Sequence, residues 1–194
     1  MAVPSTTPEL KTERLLLRGW RASDRGPFAA MNAEPQVVEQ LPAALSRPES
    51  DALADRIEAH FKMHGFGFWV IETVNTEFVG FVGLAVPTFK SHFSPAVEIG
   101  WRLNPKHWGQ GYATEGGRAA LEYAFEQLDL EEIVSFTATE NRRSRGVMER
   151  LGMSRDPADD FDHPQLPPEH RLSRHVLYRI DPPRAPLVSG VRLV

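Results

Sequence analysis

Residues 97–116, VEIGWRLNPKHWGQGYATEG, constrain the fold of this 194-residue chain more than any other stretch. Residues 97–103 alternate apolar and polar or small side chains and predict a strand. Residues 104–111 hold Gly109 and Gly111 and predict a loop. A helix comes next over 114–128, with Leu121, Ala124, Phe125 and Leu128 sharing one face. Glycines between a strand and a helix let backbone approach a ligand closely. The open N–H groups and the dipole of the helix start favour an anion there. The expected ligand is therefore a phosphate or pyrophosphate; the alternative is a tight turn that happens to contain glycines. Gly116 is followed by Gly117 rather than Lys, against a Walker A loop. Thr114 stands where a dinucleotide fingerprint needs its third glycine. A nucleotide-binding protein is thus the weakest reading.

Gly100 interrupts an otherwise good strand and predicts a bulge or a close backbone approach. A bulged strand splays from its neighbour and leaves N–H and C=O groups unpaired. A ligand carrying amides and a pyrophosphate can add there like a strand. The pantetheine arm and pyrophosphate of coenzyme A have that layout.

The rest of the chain supplies the elements around this unit. Residues 14–18 (RLLLR) predict a strand. Ser23 or Asp24 caps a helix bearing Phe28 and Met31, and Pro35 and Pro42 break the region after it. Ser50 or Asp51 is the expected cap of a second helix with Leu53, Ala54, Ile57 and Phe61 on one face, ended by Gly65. Residues 66–72 and 78–86 predict an antiparallel hairpin, 133–138 a further strand and 175–180 a last one. Asn141 caps a short helix carrying Val147, Met148 and Leu151, closed by Gly152. The order implies a mixed α/β fold with a helix crossover in its second half. Residues 1–11 read as a leader, 12–180 as one domain and 181–194 as a tail.

Composition removes several function classes. Lys and Arg number 22 against 26 Asp and Glu, a net charge of −4, so no global field steers the chain to nucleic acid. The lack of cysteine excludes disulfides, thiolate metal sites and a Cys nucleophile. No export signal is visible near the start, and no apolar run approaches the ~18–20 residues of a membrane helix, so the expected location is cytoplasmic.

Trp108 to Gly116, WGQGYATEG, strongly resembles the acyl-CoA loop of the GCN5-related N-acetyltransferase (GNAT) superfamily. Together with Asn141-Arg142-Arg143-Ser144, MERLGM at 148–153 and TERLLLRGW at 12–20, it resembles the ribosomal-protein alanine N-acetyltransferase branch, the RimJ/RimL type. The likeness runs over 12–180. It implies a central, mixed, mostly antiparallel sheet splayed in the middle and flanked by helices. It also implies acetyl-CoA as acyl donor, a primary amine as acceptor (a protein N-terminus or a small amine), and no metal. By that resemblance the backbone of Trp101, Arg102 and Leu103 pairs with pantetheine. Trp108, Gly109, Gln110, Gly111, Tyr112, Ala113 and Thr114 cradle the pyrophosphate. Asn141 and Ser144 face the pantetheine and the sulfur. Trp108 replaces the loop's usual first Arg or Gln and is expected to pack on the donor.

Glu98 is the candidate base, on one strand face with Gly100 and Arg102. The family's Tyr acid falls on Met148, which cannot donate a proton, so Ser144 is the candidate donor; the alternative for Ser144 is a helix-start residue that only contacts the donor. Absence of Cys, and of a Ser with an obvious His/Asp set, favours direct attack over an acyl-enzyme. A non-catalytic acyl-CoA sensor is the competing reading. His60 and His64 read as a solvated pair, and His163, His170 and His175 show no regular ligand spacing. Trp20, Trp69 and Trp101 read as core, and Arg142, Arg143 and Arg145 as a basic cluster able to meet a phosphate. The Pro-rich tail and aromatic hairpin suggest a homodimer.

Overall fold

A computed structural model describes residues 7–183 and 192–193. Its strands are β1 (Leu10–Lys11), β2 (Leu16–Arg18), β3 (Phe68–Thr73), β4 (Thr76–Ala85), β5 (Glu98–Leu103), β6 (Ile133–Ala138), β7 (Phe161–Asp162), β8 (Arg174–Ile180) and β9 (Arg192–Leu193). The helices are α1 (Arg25–Asn32), α2 (Pro35–Val38), α3 (Arg47–His64), α4 (Tyr112–Glu126) and α5 (Arg142–Arg150). The strands form one sheet in the order β7-β8-β6-β5-β4-β3-β2-β1-β9. Every pairing is antiparallel except β5 with β6, whose link runs through α4 as a parallel pair requires.

Two apolar layers cover the sheet. Leu84, Ile99 and Leu103 pack on the side of α4, with Ala120, Tyr123, Val147 and Met148. Phe28, Met31, Val37, Val70, Phe78 and Phe81 form a second cluster under α1 and α2. The β4–β5 register assigns each β5 side chain to a layer. Trp101 opposes Val82 and Ile99 opposes Leu84, while Arg102 opposes Phe81 and Glu98 opposes Ala85. Glu98, Gly100 and Arg102 therefore face α1 and α2, as period-2 alternation requires.

Some expectations are corrected. Ser46, not Ser50 or Asp51, caps α3: its Oγ accepts from the Glu49 N–H, and Glu49 returns a bond to the Ser46 N–H. Ser50 is instead fully buried. Pro35 begins α2 rather than only breaking the chain. Leu10, in the expected leader, is buried in β1, and Arg192–Leu193 of the expected tail pair with it. The remaining tail residues from 184 onward lie outside the described residues, as do 1–6. No register shift occurs at Gly100, which opposes Gly83; the shift lies between β3 and β4 at Ile71/Thr73. A Cβ at Gly100 would stand 3.3 Å from the Phe68 ring, so its close neighbour is a side chain and not a bulge.

The His60/His64 pair is partly structural rather than solvated. His60 Nδ1 lies 2.9 Å from the Phe66 carbonyl, and Nε2 accepts from the Val86 N–H at 3.0 Å. Those partners require a neutral Nδ1–H ring. Burial lowers the pKa of His60, and likewise of His163 and His175, whose rings lie 5.0 Å apart beside Phe136 and Phe161. The unfolded chain then takes up protons first. Stability from these rings is complete above about pH 6.5 and is lost as pH falls below it. We expect Tm to drop between pH 7 and pH 5 in calorimetric scans; a flat profile would contradict neutral buried rings.

Candidate active site

The splay at the sheet centre has a visible cause. β5 and β6 pair at Glu98 and Val134, with the Val134 N–H donating to the Val97 carbonyl at 3.0 Å. One residue later Ser135 Oγ donates to the Ile99 carbonyl at 2.8 Å, a side chain replacing the ladder. Beyond it β6 continues along β8 and β5 along β4. A cleft of about 1000 Å³ opens between them, reached by Glu98, Trp101, Phe136, Thr137, Asn141 and Ser144.

Backbone alternation decides what β5 offers this cleft. The carbonyls of Val97 and Ile99 point toward β6, so those of Trp101 and Leu103 do as well. Trp101 thus presents an open N–H and C=O. Arg102 turns its backbone to β4, and the Leu103 carbonyl already accepts from Trp108 Nε1 at 2.8 Å. Only part of the expected 101–103 backbone edge is therefore free. Through its bond to Leu103, Trp108 folds back on its own loop; its ring also lines the cleft, with the Arg143 guanidinium 4.5 Å from the ring centroid.

The glycine loop is built for left-handed turns. Gly109 has φ +76° and Gly111 has φ +82°, and Gly111 is the N-cap of α4. The first helical bond runs from the Glu115 N–H to the Gly111 carbonyl. Among the described residues no acceptor meets the N–H groups of Gly109, Gln110, Gly111, Tyr112, Ala113 or Thr114, a row of donors at a helix start. Arg14, in the bend between β1 and β2, clamps this row. Its Nη1 donates to the Gln110 carbonyl at 3.0 Å, Nε to Glu115 at 2.6 Å, and its guanidinium sits 5.0 Å from the Tyr112 ring. Thr12 Oγ1 adds a 2.6 Å bond to Glu115.

The candidate donor Ser144 and the α5 N-cap Asn141 lie across the cleft at the start of α5. Asn141 Oδ1 accepts from the Ser144 N–H at 3.2 Å, and its amide nitrogen donates to Thr137 Oγ1 at 3.0 Å. Asn141 therefore shapes the wall with both ends of its side chain. Ser144 lines the cleft, and its hydroxyl has no partner among the described residues. Met148 is 1% exposed and belongs to the core. Arg142 and Arg143 border the cleft, whereas Arg145 is spent on the Thr139 carbonyl at 3.1 Å. Sequence reasoning missed Ser135 and Arg150, whose Nε reaches Thr114 Oγ1 at 3.3 Å. A hydroxyl inside the apolar run IVSFTA was the available signal for Ser135.

Glu98 stands where β5 and β6 part, facing α1 and α2, and burial raises its pKa to about 7. Arg102, four residues along, has its pKa lowered by burial to about 10. Among the described residues no group of three or more His, Asp or Glu side chains is arranged to hold a metal.

Residues 14–154 match the family described as "Acetyltransferase (GNAT) domain". The chain belongs to the GNAT acetyltransferase family. An FsC-acetyl coenzyme A-N(2)-transacetylase from Aspergillus fumigatus is 37% identical over 156 residues, which are 76% of this chain and 65% of that protein. An acetyltransferase structure from Agrobacterium tumefaciens superposes with a TM-score of 0.75 at 28% identity, covering 94% of this chain and 99% of that one. A ribosomal-protein-S5-alanine acetyltransferase from Vibrio fischeri shares the fold, with a TM-score of 0.70 at 16% identity over 89% of this chain and 96% of that one. The mostly antiparallel sheet flanked by helices is thus the GNAT framework. No helix among the described residues is long and apolar enough to cross a membrane.

Proposed function

We propose that this GNAT chain is an acetyl-CoA-dependent N-acetyltransferase that works by direct attack of a primary amine in a ternary complex. The observation that carries this reading is the parting of β5 from β6 beside Glu98. The pantetheine arm adds along the open Trp101 backbone, and the pyrophosphate meets the free N–H groups at 109–114. The thioester then lies beside Ile99 and Glu98. Glu98 takes a proton from the ammonium, through a water, at a pKa matched to neutral pH. The nitrogen attacks the carbonyl carbon, the C–S bond breaks with the sulfur leaving as thiolate, and the second proton shed by the nitrogen passes to that thiolate or to water. A thiol pKa near about 8.5 makes that departure easy, so the Ser144 hydroxyl is an aid to it and not a requirement. Acceptors in scope are protein N-termini, as in the RimJ/RimL-type branch, and small amines.

Thiol release from acetyl-CoA, measured against a panel of amines and N-terminal peptides, tests the reading. Binding of acetyl-CoA with no release on any amine would assign the chain as an acyl-CoA sensor. Gly111→Val tests the loop separately. A β-branched residue at φ +82° is strained, and its Cβ would sit 3.3 Å from Arg14 Nη2. We expect CoA affinity by calorimetry to fall at least about tenfold, roughly the factor carried by one charge-assisted hydrogen bond, as the N–H row loses its alignment. Unchanged affinity would remove 109–114 as the pyrophosphate site.

A further inference from the structure

The α1–α2 wall of the cleft carries an unmatched cation. Arg102 projects onto the same face as Glu98, its guanidinium 5.5 Å from the Phe81 ring centroid. Its Nη1 donates to Asn32 Oδ1 at 2.8 Å. Asn32 is fully buried, and its amide nitrogen donates to Ser50 Oγ at 3.1 Å, which turns the amide oxygen toward Arg102. Among the described residues no carboxylate pairs with Arg102, and its Nε and Nη2 meet no acceptor. Arg18 gives the contrast: burial lowers its pKa too, but side-chain bonds to Asp24 and Glu72 hold it up, whereas burial alone lowers that of the half-buried Arg102. The open nitrogens of Arg102 remain accessible; such a guanidinium is ordinarily found on the outer surface in bulk water. The fold nonetheless places it on the cleft wall, beside Gln36 of α2 and Gln40.

We propose that Arg102, steadied by Asn32, binds a carboxylate of the acceptor, so that the amine substrate carries an acid group as well. This rests on the acetyl-transfer reading above. Four residues of strand separate the Cα atoms of Glu98 and Arg102 by about 13 Å. Side chains reaching in from both ends leave a span of roughly 6–10 Å between amine and carboxylate. A dipeptide with a free C-terminus has that length, and so does a peptide N-terminus followed by an acidic residue. The guanidinium fork suits a carboxylate in geometry as well as in charge. A polyamine fits poorly, because its second ammonium would stand against Arg102.

Matched acceptor pairs test this with the full chain and acetyl-CoA. One pair is dialanine and its C-terminal amide; the other is an alanyl-glutamyl pentapeptide amide and its alanyl-glutaminyl counterpart. The acid member of at least one pair should show a kcat/KM about tenfold to a hundredfold above its neutral partner, the range of a charge-assisted hydrogen bond. The ratio should collapse toward one in Arg102→Gln, chiefly through KM, and recover in part in Arg102→Lys. A merely structural Arg102 would lower both members alike and keep the ratio. A preference confined to dialanine assigns a small-molecule acceptor, and one confined to the pentapeptides a protein N-terminus. Equal turnover of acid and neutral members by the wild type overturns the carboxylate subsite and leaves acetyl transfer standing. Where no member is acetylated, the pairs are titrated calorimetrically into the CoA-bound protein. Binding of the acid member alone supports the subsite while denying turnover; equal or absent binding overturns it.

Discussion

Glu98→Gln should lower kcat by about a hundredfold to ten-thousandfold while acetyl-CoA binding stays close to wild type, because general-base contributions fall in that range. Glu98 lines the cleft where β5 leaves β6, and burial raises its pKa to about 7. The base acts only when ionised. Wild-type kcat/KM should therefore rise as pH climbs through about 7 and level off above it. Changing the basicity of the acceptor amine moves that amine's own titration but leaves this inflection in place. The glutamine variant should lack the inflection altogether. Stopped-flow thiol release across pH 5.5 to 9 provides the check. Wild-type rates at every pH would take Glu98 out of the reaction.

Arg18→Leu should destabilise the fold by about 3–5 kcal/mol, the usual consequence of leaving a buried charge without its partner. Arg18 is 1% exposed. Its Nη1 and Nη2 donate to the two Asp24 carboxylate oxygens at 2.8 and 2.9 Å, its Nε to Glu72 at 2.5 Å, and Nη2 also to the Glu77 carbonyl at 2.7 Å. One side chain thus ties β2 to the start of α1, to β3 and to β4. Leucine would strand Asp24, which is itself buried. For a chain of this size the loss corresponds to about 6–20 °C in Tm. Arg18→Leu combined with Asp24→Leu should recover much of it, since both charges are then gone. Calorimetry on the single and double variants decides. A single variant within about 1 kcal/mol of wild type would show the pair to be dispensable.

Much of the fold is legible in the sequence because its signals are local. Gly65, Gly111 and Gly152 all adopt left-handed conformations at helix ends, as glycines do, and Asn141 caps α5 as its side chain permits. The α3 cap lies four residues before the expected one because Ser46, Ser50 and Asp51 are all good caps by type. Proline in the first turn and Glu49 three residues on select Ser46. The open strand at 97–103 is also legible, though not its cause. Gly100 suggests a bulge, whereas the structure opens the sheet by letting β5 and β6 run with different partners, with Ser135 bridging the fork.

The chain's order of residues alone determined the strand, the glycine turn and the helix start that present free amides, because φ, ψ and capping depend on neighbours within a few positions. Tertiary structure alone decided which groups those amides and strands leave available. Trp108 turns back to the Leu103 carbonyl, Arg102 meets Asn32 across 70 residues, and Arg14 reaches Glu115 across 101. Such pairings come from strand register and layer packing, which bring distant residues together at distances that no local pattern encodes.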